Sequence, residues 1–240
     1  MVRYMDQTDG TLFTFSPDTR RIDRRGFTLI ELLVVMAIIA LMSGFVITAL
    51  GTDDGSRALN SAITRMDATF SLAQSGAASR KTRTRVLVHF NHQDAANPDH
   101  YLRYVQIFYE ESPNVWRAFA DPELLPRNIL FNPILSNAAG DRGLRVWTAT
   151  VNPTNFNVTS AAPELTTDLN PGPNRWIVYE FNPNGTARFP MAKFVLSRGL
   201  VLPGSAAPNI PNEAASAGFV LFRSGKVVYF RDADHITRAN

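Results

Sequence analysis

Residues 27–50, FTLIELLVVMAIIALMSGFVITAL, form a predominantly apolar run of 24 residues that carries a single charge, Glu31. Crossing the hydrocarbon core of a bilayer takes about 20 apolar residues in a helix, and an isolated carboxylate there costs a few kcal/mol. Such a run is a helix that spans a membrane or packs inside an assembly, and a carboxylate retained near its start calls for a partner. Arg20, Arg21, Arg24 and Arg25 precede the run, with only Asp18 and Asp23 among them. The positive-inside bias puts residues 1–26 in the cytoplasm and the rest outside. A secretory signal peptide has an apolar core of about 7–15 residues and a small-residue cleavage site after it. The run here is longer.

Arg25, Gly26, Phe27, Thr28, Leu29, Ile30, Glu31, Leu32, Leu33 and Val34 stand in an order that closely resembles the processing site of type IV prepilins and type II secretion pseudopilins. The resemblance implies that a prepilin peptidase cuts between Gly26 and Phe27 and methylates the new amino group of Phe27. It implies further partners: other pseudopilins or pilins, an inner-membrane assembly platform and the lipid bilayer. A plain signal anchor accounts for the length and the arginines, but not for Gly26-Phe27 or Glu31. Cleavage would leave an ammonium group on Phe27, one helical turn from Glu31. In a stack of subunits the Glu31 carboxylate of one chain can meet the Phe27 ammonium of the next. A paired buried charge is tolerated where an orphan is strongly destabilising, so the pair would set axial register. The leader is long for this family.

Removing 26 residues leaves 214, enough for one globular domain beyond the span. The leader holds five arginines and four aspartates, so the formal charge of +3 falls to +2 after cleavage, before the new amino terminus is counted. The pI of about 9.4 is therefore no nucleic-acid signature. There is no cysteine, which excludes disulfides and thiolate sites.

Four segments follow from the pattern: a cytoplasmic leader (1–26), a membrane or filament-core helix (27–50), an amphipathic helix (51–80) and a periplasmic β-rich domain (81–240). Gly51-Thr-Asp-Asp-Gly55 weakens the helix, and Asp54 or Ser56 could cap its restart. No proline lies between Pro17 and Pro98, although many pilins have one within the apolar helix, so the flexible point is expected at Gly51 to Gly55. Leu59, Ile63, Met66, Phe70, Ala73 and Ala77 recur at spacings of four and three, one apolar helix face that ends near Ser79. If continuous, residues 27–79 would make a rod of about 80 Å. Strands are expected at Arg85–Phe90, Tyr101–Tyr109, Val115–Phe119, Asn128–Phe131, Leu144–Val151, Arg175–Phe181, Thr186–Phe189, Gly218–Arg223 and Lys226–Phe230. Asn182-Pro-Asn-Gly185 and Ser224-Gly225 mark turns, and residues 152–174 and 203–217 read as long loops. The fold class is α+β: a long amino-terminal helix, its second half packed on a carboxy-terminal antiparallel sheet. Leu125-Pro126, Phe181-Asn-Pro-Asn-Gly-Thr186 and the hairpin Gly218–Phe230 make the order similar to H-type minor pseudopilins and FimT-like minor pilins.

His89, His92 and His100, with Asp94 and Asp99, could supply metal ligands. His89 alternates with Val88 and Phe90, however, which assigns it to a polar strand face beside a solvated loop, and no metal or other cofactor is assigned. Arg80, Lys81, Arg83 and Arg85 could bind phosphates, as a pilin in DNA uptake would need. The plainer account has the first cations complementing a helix C-terminus and the later ones pointing outward from a strand. No P-loop, GxSxG or HExxH occurs, so the chain is not read as an enzyme. The reading is a minor pseudopilin or pilin of the bacterial inner membrane, amino end cytoplasmic, that enters a periplasmic pseudopilus or pilus serving secretion. A DNA-binding minor pilin for uptake, with nucleic acid as partner, and a signal-anchored binding protein that never assembles are the alternatives.

Overall fold

The computed structural model describes residues 29–36, 38, 54–137, 144–150, 155–157, 163–166, 171–202, 205–211 and 215–230. It divides into two units, Met1–Ala49 and Leu50–Asn240. In the first, residues 29–36 and 38 are helical and exposed. Among the described residues no helix is long and apolar enough to cross a membrane. Most of the apolar run, and Gly51 with it, lies outside them.

The second unit opens with helix α1 (Asp54–Arg80), 27 residues and about 40 Å long. Leu59, Ile63, Met66, Phe70, Ala73 and Ala77 are all buried, as their spacing predicts. They pack on a larger, eight-stranded sheet and a smaller, four-stranded one. In the larger sheet the order is β7 (Asn155–Asn157), β3 (Val115–Ala118), β2 (Tyr104–Ser112), β1 (Thr84–His89), β9 (Arg175–Phe181), β6 (Leu144–Thr148) and β8 (Glu164–Thr166), with β4 (Glu123–Leu124) pairing β2. The smaller sheet runs β12 (Val227–Phe230), β11 (Ser216–Leu221), β10 (Ala192–Arg198), β5 (Ile129–Phe131). Neighbouring strands are antiparallel throughout. The short helix α2 (Pro133–Asn137) follows β5.

Phe70 is where the three layers meet. Its ring lies edge-on to Tyr179 and Phe181 of β9, to Phe194 of β10 and to Phe219 of β11, at centroid distances of 4.9–6.3 Å. Each edge-to-face pair adds about 0.5–1.5 kcal/mol to the area buried. Between the sheets, the Tyr179 hydroxyl donates to the Lys193 carbonyl at 2.7 Å.

Two turns close against the helix beside this joint. Gly185 and Gly225 take φ of +77° and +82°, which glycine alone adopts without strain. A Cβ on Gly225 would stand 2.4 Å from the Gly185 carbonyl and 2.3 Å from Gln74 Nε2. Gln74 donates from that nitrogen to the Ser224 carbonyl at 2.9 Å. The helix thus holds the Ser224-Gly225 turn through one side chain, and the Gly185 turn abuts it.

Several boundaries differ from expectation. Tyr101–Arg103 form a turn, with Leu102 at φ 58°, and β2 starts at Tyr104. Thr186–Phe189 make no strand. One bridge, Phe181↔Ala187, is followed by a turn at Pro190-Met191. The chain then enters β10, a strand the pattern does not announce: every residue from Ala192 to Ser197 is buried, so no polar alternation marks it. The span read as the first long loop contains β7 and β8, and the end of the second contributes Ser216 and Ala217 to β11.

Replacing Phe70 by Ala removes the ring shared by both sheets and should cost about 3–5 kcal/mol. Urea unfolding followed by tryptophan fluorescence measures this. A loss below about 1 kcal/mol would mean that the sheets are held together elsewhere.

Candidate functional site

Two regions carry candidate function, one in each unit. In the first unit the described helical residues include Leu29, Ile30, Leu32, Leu33, Val34, Val35, Met36 and Ile38, all between 46 and 83 % exposed, with Glu31 among them. A helix apolar on every side is built to be covered, by lipid or by neighbouring helices. Arg24, Arg25, Gly26 and Phe27 lie outside the described residues.

In the second unit, the face of the larger sheet turned away from α1 is buried too, and this corrects the one-sided sheet read from the alternation. Leu87, Phe108, Trp116, Trp147, Trp176 and Val178 form its core. Register explains the polar groups among them. Arg85 stands opposite both Phe108 and Glu180, and His89 stands opposite Trp176.

Glu180 is fully buried on this face. It accepts from Arg85 Nε at 2.8 Å and from Arg188 Nη1, and Arg83 Nη1 lies 3.5 Å away. Arg85 is packed against the rings of Trp116 and Trp147, 4.0 and 4.7 Å from their centroids. Burial lowers the Arg85 pKa and Glu180 opposes that, so the guanidinium keeps its charge beside the carboxylate. Arg83 donates from Nε to Glu110 at 2.7 Å, which raises its own pKa. Burial would raise the Glu110 carboxyl, but the Arg83 hydrogen bond and charge outweigh it and hold the pKa below the ordinary value.

The four cations read as one patch are therefore divided. Arg83 and Arg85 do not project from the strand into solvent but are bound to carboxylates. Arg80 lies over Tyr109 and Phe119, at 4.4 and 4.8 Å. Lys81 is exposed at the turn after α1, with φ 57°. Sequence reasoning missed two further arginines of this face, Arg145 on β6 and Arg188 after β9. Both lie over Phe189, at 4.5 and 5.6 Å.

The histidines gather at the other end of the sheet. His89 is 5 % exposed rather than solvated. Its ring is edge-on to Trp176 at 4.9 Å, and its Nε2 is 3.5 Å from Asp94 Oδ2. His100 stacks on Tyr104 at 4.5 Å. Among the described residues no three acidic or histidine side chains are grouped so as to hold a metal.

Residues 21–47 match the family model described as the prokaryotic N-terminal methylation motif. This segment thus carries the methylation motif found in prepilin-type proteins. Among solved structures it is similar to the minor pseudopilin EpsH from the Type 2 Secretion System of Vibrio cholerae. One structure of that protein has 9 % identity, covers 73 % of this chain and 96 % of its own, and has a TM-score of 0.36. A second has 10 % identity, covers 74 and 96 %, and has a TM-score of 0.35. No curated protein sequence matches the chain.

Two outcomes follow from the buried face. Glu180→Gln leaves Arg85 without its counter-charge and should cost about 3–5 kcal/mol, against less than about 1 kcal/mol for Glu111→Gln in an exposed pair. Parallel urea titrations compare the two. The second outcome concerns pH. Burial lowers the His89 pKa to about 4, despite the nearby Asp94 carboxylate and with His100 adding to the shift. The unfolded chain takes up that proton near pH 6.5, so it holds more protons than the folded chain between those values. Stability should fall as pH drops from about 6.5 to 4, and His89→Leu should flatten the fall, leaving the smaller part due to His100. An unchanged slope in the variant would remove His89 as the cause.

Proposed function

We propose that this chain is a minor pseudopilin or minor pilin subunit of the H type. It enters the bacterial inner membrane with its amino end in the cytoplasm. Prepilin peptidase cuts it after Gly26 and methylates Phe27. It then joins other pseudopilins or pilins in a periplasmic filament that serves protein secretion. The observation that carries this reading is the methylation motif over residues 21–47. The exposed apolar helix supports it, since such a surface demands lipid before assembly and neighbouring helices after it. The protein works by packing and contact and not by catalysis. Arg24 and Arg25 orient the span, and Glu31 pairs with the Phe27 ammonium of a neighbouring subunit.

Mass spectrometry of the mature protein tests the processing step. N-methyl-phenylalanine at residue 27 is the expected amino terminus, and any other terminus overturns the reading. Glu31→Ala should still be inserted and cut, because it removes a charge that costs roughly 2.5–3.5 kcal/mol on insertion. It should fail in assembly, because losing one side of a buried pair costs about 3–5 kcal/mol. Recovery of other pilin-like subunits in a pull-down reads the difference. Equal recovery, with equal secretion or piliation, would show that Glu31 is not the docking charge.

A further inference from the structure

The outer face of the larger sheet carries more positive charge than it neutralises. Arg83, Arg85, Arg145 and Arg188 face Glu110 and Glu180, four cations to two anions among the described residues. The carboxylates are spent on one side of the cluster: Glu110 holds Arg83, and Glu180 holds Arg85 and Arg188. Arg145 has no carboxylate near it among the described residues. Its pKa is lowered by burial and by the like charge of Arg188. Register shows why β8 supplies no acid. Arg145 stands opposite Leu165, while Glu164 stands opposite Val146 and so belongs to the other face.

Arg188 has Glu180 as its counter-charge, whereas Arg145, over the same ring, is left beside the like charge of Arg188 with no anion of its own among the described residues. The surroundings favour a carboxylate over a nucleic acid. Trp116 and Trp147 are 1 and 3 % exposed, so they present no platform on which bases could stack. Lys81 and Arg80 belong to the turn after α1 and the end of α1, and they do not extend the pair into a track for a phosphate backbone. A guanidinium fork matches a carboxylate in two parallel hydrogen bonds.

We propose that Arg145 and Arg188, laid over Phe189, form a seat for an acidic side chain of a partner protein. The seat follows from the geometry of the sheet and stands or falls independently of filament assembly. It is open to approach, since Arg188 is about one-third exposed and Arg145 half-buried.

The test uses the full chain in detergent micelles and a fluorescent peptide of alternating Glu and Gly. Binding at low ionic strength, weakened by salt, is expected, with no binding of the matching Gln-Gly peptide. Arg145→Gln should weaken the Glu peptide about tenfold and Arg145→Lys less, because an ammonium group keeps the charge but loses the fork. Arg127→Gln, far out in solvent on another segment, should change nothing. Circular dichroism melting of each variant confirms that it is folded. Failure of the wild type to bind the Glu peptide, or equal binding by folded Arg145→Gln, overturns the proposal. Inorganic phosphate or a single-stranded oligonucleotide binding more tightly than the peptide, with the same dependence on Arg145, overturns the carboxylate assignment.

Discussion

The second unit depends on a single apolar stripe meeting two sheets at once. Leu59 to Ala77 supply one face of α1, and among the described residues neither sheet has another helix of that length to cover it. Phe70 sits near the middle of that face and touches strands from both sheets. Small residues, Ala73 and Ala77, follow it and are fully buried. Where the larger sheet ends at Phe181, the chain crosses to the smaller one through a glycine turn pressed on the same helix. Burial of the stripe therefore holds the helix, and through it the relation of one sheet to the other.

The opposite face of the larger sheet obeys a different constraint. It buries charge, which is costly unless each charge is paired. Glu180 meets that cost by serving Arg85 and Arg188, with Arg83 close by, while Trp116 and Trp147 shield Arg85 from water. Such a network adds little net stability over a well-packed apolar one, yet it penalises a slip in register, because Arg85 must lie opposite Glu180. His89 at the far end is buried by the same sheet, and the burial that lowers its pKa makes this end sensitive to acid.

How much of this was legible varied with the range of the interaction. The α1 stripe could be read because its spacing is local, and β9 was found residue for residue from a run of β-formers before a turn. The motif around Gly26 and Glu31 was legible from order alone. The second buried face was not. Arg85, His89 and Glu180 look like solvent-facing residues until a partner 95 residues away is brought opposite. The patch at Arg80 to Arg85 was contiguous in sequence, and the end of the helix and the strand after it pulled it apart. Arg145 and Arg188 showed the reverse, distant in the chain and joined by one phenyl ring.

The hold of Gln74 on the Ser224-Gly225 turn has a mechanical consequence. A pull along the axis of α1 loads the stripe, the Gln74 contact and the inner strands of both sheets together, in shear. Contacts loaded in parallel must yield at once, whereas a strand peeled from an edge yields one bond after another. The helix is thus seated to carry tension into the sheets as a unit, and its weakest direction is a lever motion away from their face.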